Sequence, residues 1–103
     1  MAYKLRYVQH FKQNHFKDFI ELEKKFIELE NSIKDFPRGK RFLPYMGKEP
    51  LNTLIWECEF DSMEELQKAH DLIQNNSSHE ELYNKQVRYF LDSYTEIYKE
   101  VNI

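Results

Sequence analysis

The segment spanning residues 51–70, LNTLIWECEFDSMEELQKAH, constrains the fold more than any other. Leu54, Trp56, Cys58 and Phe60 alternate with Thr53, Ile55, Glu57 and Glu59. That is the two-residue period of a strand with two unlike faces. Ser62 follows, three positions before Glu65. In such a capping box the serine oxygen accepts from the Glu65 amide, and the carboxylate reaches back to the serine amide. A strand turning directly into a helix is expected, with Ser62 and Glu65 as its structural cap. No catalytic signature accompanies it.

The same alternation opens the chain. In residues 3–11, Tyr3, Leu5, Tyr7, Gln9 and Phe11 share one face, and Lys4, Arg6, Val8 and His10 share the other. Asn14 is the expected N-cap of a helix over residues 15–34, where Phe16, Phe19, Ile20, Leu22, Phe26, Ile27, Leu29 and Ile33 recur at helical spacing. Phe36-Pro37-Arg38-Gly39 ends it, because proline cannot continue a helix and glycine tolerates a turn. Residues 40–46 are expected as a strand, with Pro44 marking an edge or a bulge. Gly47 to Pro50 turns the chain into the third strand. The capped helix runs from Ser62 to about Asn75, and Asn75-Asn76-Ser77-Ser78 breaks it. Ser78 and Glu81 form a second expected capping box, opening a helix that carries Leu82, Tyr83, Val87, Phe90 and Leu91. A last strand is expected over residues 93–101. The order β-α-β-β-α-(α)-β predicts a ferredoxin-like α+β fold, a four-stranded antiparallel sheet with helices on one face.

At 103 residues the expectation is one domain covering positions 1–103. Eight Phe, seven Tyr and one Trp supply a core without staples. The net charge of −3, with both signs interspersed, excludes the clustered basic face of a nucleic-acid binder. The chain shows no apolar run of membrane-spanning length and no signal-peptide pattern. One cysteine forms no internal disulfide. The expectation is a cytoplasmic protein with no nucleic-acid or membrane partner and no cofactor.

Helices cover one face of such a sheet, and the other must meet water or a partner. Val8, Ile55 and Ile97 are expected there among Arg6, His10, Glu57 and Glu59. That face is too apolar for water and too charged for a dry core. Two sheets packed face to face would resolve both, leaving a polar-lined cavity in a homodimer. The apolar width of the first helix suggests a second contact.

Tyr3-Lys4-Leu5-Arg6 resembles the opening "Y-x-L-R" strand of NIPSNAP-like proteins. Gly47, Leu51-Asn52, Trp56, Glu59-Phe60 and Ser62-Met63 resemble that family's second half: a glycine turn, an "L-N" pair opening a strand, and an acidic-aromatic pair before a serine-capped helix. The resemblance covers most of the chain. It implies the dimeric α/β-barrel superfamily, which also holds cofactor-independent monooxygenases and haem-degrading enzymes. The Pro-Gly often found before the first helix is replaced here by Phe11-Lys12-Gln13-Asn14.

Four residues on the open face are candidate ligand contacts. Arg6 offers a guanidinium for a carboxylate or enolate, or pairs with Glu57 or Glu59 across the sheet. His10 is a candidate general base, or a strand-end histidine in solvent. Glu57 and Glu59 stand two apart on one strand face. No His-x-His or His-x-x-x-His accompanies them, so no metal is expected. Trp56 and Cys58 read as core, and His70 as helix-edge packing. The haem-degrading relatives place an asparagine on the first strand, and this strand has none. Glu23 and Glu30 lie on one line of the first helix between apolar residues. They either pair with Lys or Arg at a boundary or reach a ligand. The expected function is binding of a small organic ligand between two sheets. A cofactor-independent monooxygenase or isomerase, and a structural dimer with a filled cavity, are the alternatives.

Overall fold

The computed structural model describes residues 2–103. The chain runs β1 (Tyr3–Phe11), α1 (Phe16–Ser32), β2 (Lys40–Phe42), β3 (Thr53–Phe60), α2 (Met63–Asn75), α3 (Ser77–Gln86) and β4 (Phe90–Lys99). The four strands form one antiparallel sheet in the order β2-β3-β1-β4, as expected of a ferredoxin-like fold.

Register fixes which side chains share a face. Arg6 sits opposite Glu57 on β3 and Glu96 on β4, while Leu5 sits opposite Cys58 and Ile97. Directly opposed residues in an antiparallel pair point the same way. Leu5 therefore faces the helices, and it is fully buried with Phe36, Trp56, Leu66 and Ile73. A second cluster of Phe11, Phe19 and Leu54 fills the other end of this layer. Ile97 corrects the sequence expectation. It shares Leu5's face, and the open face receives Tyr94, Glu96 and Tyr98 from β4 instead. The phase of β4 against β1 is set by pairing and not by its own sequence.

Several boundaries also differ. Asn14 lies inside a 3₁₀ turn, Gln13–His15, and the N-cap of α1 is His15, with no side-chain cap bond. The helix stops at Ser32 rather than near residue 34, and the non-glycine positive φ falls at Asp35, 63°. Gly39 does not adopt a positive φ, so its turn-making freedom is not what places it there. β2 is three residues long, which leaves Pro44 in the loop beyond this edge strand. Proline has no amide to continue the ladder.

The Ser62 cap forms: its oxygen accepts from the Glu65 amide at 3.1 Å. The Glu65 carboxylate accepts from the Asp61 amide at 3.2 Å, one residue earlier than the expected box. α3 is capped by Asn76, which accepts from His79 N at 2.8 Å, and not by Ser78. Val87–Tyr89 tightens into a 3₁₀ turn, so Phe90 and Leu91 begin β4 instead of extending the helix.

Candidate ligand chamber

The helix layer contains a buried charge cluster. Glu23 and Glu30 lie on the inner side of α1, only 6% and 5% exposed. Arg41 pairs with Trp56 across the β2–β3 ladder, so its side chain rises toward α1. Its Nη2 donates to Glu30 Oε2, its Nη1 to Glu30 Oε1 at 3.0 Å and to the Gly39 carbonyl at 3.1 Å. Its Nε donates to Glu23 Oε1 at 3.3 Å. Glu30 also accepts from the Gly39 amide at 3.0 Å. Gln86, buried at the end of α3, donates to Glu23 Oε2 at 3.3 Å and to the Phe19 carbonyl at 3.2 Å. Glu23 and Glu30 thus pair with an arginine.

The two carboxylates are not held equally. Glu30 has the bidentate contact and a backbone donor. Glu23 has two long hydrogen bonds. Burial raises the Glu23 carboxyl above the usual carboxylate range, and Arg41 and Gln86 pull it back only in part. Burial pulls the Arg41 guanidinium down, but Glu30 and Glu23 outweigh it and hold it above its ordinary value.

Glu23, Glu30, Arg41 and Gln86 border a cavity of about 420 Å³ between the sheet and the helices. Tyr7, Phe26, Phe36, Trp56, Ile73 and Tyr83 supply its apolar walls. Tyr7 stacks on Trp56 with ring centroids 4.9 Å apart, and its hydroxyl meets His70 Nδ1 at 2.7 Å. Burial pushes the Tyr7 phenol well above its usual range. His79, packed 4.8 Å from Phe26, has its pKa pushed down by burial. Gln9 also borders the cavity, and its side-chain oxygen is buried without a hydrogen-bond partner. A buried acceptor left unmatched is costly unless something donates to it. A chamber that combines aromatic walls with converging polar groups has the character of a small-molecule site.

The sequence-selected residues lie on the opposite face. Arg6 Nε meets Glu57 at 2.9 Å, and its Nη1 meets Glu96 at 3.3 Å and donates to the Tyr98 hydroxyl at 3.2 Å. Lys4 stands 3.6 Å from Glu57 and 3.9 Å from Glu59. His10 is separate. Its Nε2 meets Glu49 at 2.7 Å and its Nδ1 meets Asp92, while Tyr94 donates to Glu49. The bond to Glu49, reinforced by Asp92, raises the His10 pKa. Tyr94 and His10 hold the Glu49 carboxyl below its usual range, and Glu49 in turn pushes the Tyr94 phenol up to about 12. The structure therefore joins Arg6 to Glu57, leaves Glu59 beside Lys4 alone, and ties His10 to a loop residue.

Arg41, Gln9 and Gln86 border the chamber but were not selected from the sequence. One signal was available. In Lys40-Arg41-Phe42 the arginine takes the face opposite its neighbours, and Glu23 and Glu30 call for a cation.

No family model matches the sequence, and no curated protein matches it. Solved structures do resemble it. A NIPSNAP family protein from Agrobacterium tumefaciens superposes with a TM-score of 0.77 at 11% identity, covering 98% of this chain and 87% of that one. A NIPSNAP-like domain protein from Burkholderia xenovorans gives 0.76 at 14% identity, covering 97% and 85%. An antibiotic biosynthesis monooxygenase gives 0.70 at 10% identity, covering 97% and 99%. Among the described residues, no helix is long and apolar enough to cross a membrane. At these identities the likeness establishes architecture: the chain has the ferredoxin-like fold of the NIPSNAP proteins and of the monooxygenase that shares it.

Proposed function

We propose that this protein binds a small organic molecule in the chamber between its sheet and helices, as a homodimer joined through the open sheet face. The observation that carries the reading is the chamber: about 420 Å³ of space, walled by aromatic rings and edged by the buried Glu23–Arg41–Glu30 cluster. A collapsed fold would fill such space with side chains. On the open face, Arg6 lies within ion-pair distance of Glu57 and Glu96 and donates to the Tyr98 hydroxyl. A second, inter-sheet ligand site involving Arg6, His10, Glu57 and Glu59 would need the facing copy to complete it.

Support for the dimer comes from apolar side chains left in water. Phe42 and Leu43 are about half exposed, and Tyr45, Met46 and Leu51 of the following loop are far more so. Phe42 pairs with Ile55, so this patch is continuous with the open face. A cofactor-free oxygenase is the second reading. It is favoured by Glu23, a buried carboxyl at the chamber wall raised above the usual carboxylate range, which suits a general base. Oxygen uptake with an acidic carbon substrate would separate enzyme from binder.

Binding itself is tested with 2-phenylethanol, a neutral probe. Trp56 is the only tryptophan and lines the chamber, so its fluorescence reports occupancy. A saturable change is expected. An unsaturable, linear response to this probe and to its amine and carboxylate analogues alike would remove the proposed site.

A further inference from the structure

The lining of the chamber is electrically lopsided. Glu23 and Glu30, both buried, share a single guanidinium, Arg41; the exposed Glu80 adds a further carboxylate to the lining, and no other Lys or Arg borders the space among the described residues. That guanidinium is spent mostly on Glu30, which takes two of its nitrogens. Glu23 keeps one donor from Arg41 and one from Gln86, both at 3.3 Å, although it is only 6% exposed. A carboxylate so deeply buried and so loosely held gains from a further cationic donor. The unmatched Gln9 oxygen in the same chamber asks for a donor too. Tyr7, Phe26, Phe36, Trp56 and Tyr83 add aromatic surface, whose faces attract a cation and repel an anion.

We propose that the chamber selects an organic ammonium: a primary or secondary amine on an apolar body, its N–H groups directed to Glu23 and Gln9 and its body against Trp56 and Phe26. This rests on the chamber being a ligand site, and it names the chemical class of the ligand. An anionic ligand would set a second negative charge beside Glu23. A neutral ligand would fill the space but leave the charge imbalance untouched.

Three probes of one shape decide it: 2-phenylethylamine, 2-phenylethanol and phenylacetate, titrated calorimetrically into the full chain at pH 7.5. The amine is expected to bind at least tenfold tighter than the alcohol, and phenylacetate weakest. Glu23→Gln should remove most of the amine's advantage over the alcohol. If that variant fails to fold by circular dichroism, the ranking on the wild-type chain decides alone. Amine and alcohol of equal affinity, or phenylacetate tightest, would overturn the proposal while leaving the chamber a binding site. If none of the three binds, both readings fall.

Discussion

Gly39 lies so close to the indole of Trp56 that a Cβ on the glycine would fall 2.0 Å from the ring nitrogen. The same glycine donates its amide to Glu30 and accepts at its carbonyl from Arg41. One short residue thus seats the aromatic wall of the chamber and fixes its charged edge. Gly39→Ala must displace either the indole or the backbone. A destabilisation of about 1–3 kcal/mol is expected, the usual range for overpacking a core. Denaturant unfolding of the variant measures it, and an unchanged midpoint would mean that Trp56 shifts freely.

Arg41→Met should be among the most damaging single changes. It leaves Glu23 and Glu30 buried with their shared cation gone, a situation that costs about 3–5 kcal/mol. The loss should shrink as pH falls. Burial already raises the Glu23 carboxyl, so the native state binds its proton more readily than the unfolded chain, and acid relieves the variant while rising pH penalises it. Unfolding curves at pH 5 and pH 7.5 make the comparison. Equal losses at both would show that the two carboxylates find other partners.

His10 also has a raised folded pKa, but here the substitution removes the titrating group itself, so the gap moves the other way with pH. Its folded pKa is raised by Glu49 and Asp92, so its contribution is fully present below the unfolded value and fades as pH rises through the folded one. The stability gap between wild type and His10→Gln should therefore be larger at pH 6 than at pH 9. A gap that grows with pH would mean that His10 is neutral in the folded chain.

The homodimer is tested at Ile55, which sits on the open face between Val8 and Phe42. Light scattering at micromolar concentration should give twice the chain mass, and Ile55→Asp should halve it or unfold the protein. A buried unpaired carboxylate costs several kcal/mol. A wild-type monomer would contradict the proposed assembly.

How far the sequence reached is clearest on β1. The alternation of Tyr3 to Phe11 correctly sent Leu5 to the helices and Arg6 to the open face, because a strand's period leaves two choices and the apolar member decides between them. The Ser62 cap was equally local, and it formed. Ile97 was misplaced because the phase of one strand against another depends on pairing that spans more than ninety residues. The chamber was missed for a similar reason. Its members come from all four strands and all three α-helices, and no short spacing relates Gln9 to Arg41 or Gln86. Glu23 and Glu30 were conspicuous in sequence, as charges among apolar neighbours. Their partner lay on a three-residue strand whose face assignment needs the register with Trp56.

The central claim is that the ligand occupies the helix side of the sheet. Amide and indole chemical-shift mapping during a titration with 2-phenylethanol tests it most directly. Saturable shifts are predicted at the Trp56 Nε1–H and the Gln86 side-chain amide, both of which border the chamber. Shifts confined to Lys4, Arg6 and Glu57, with Trp56 and Gln86 unmoved, would place the ligand on the open face and contradict the account.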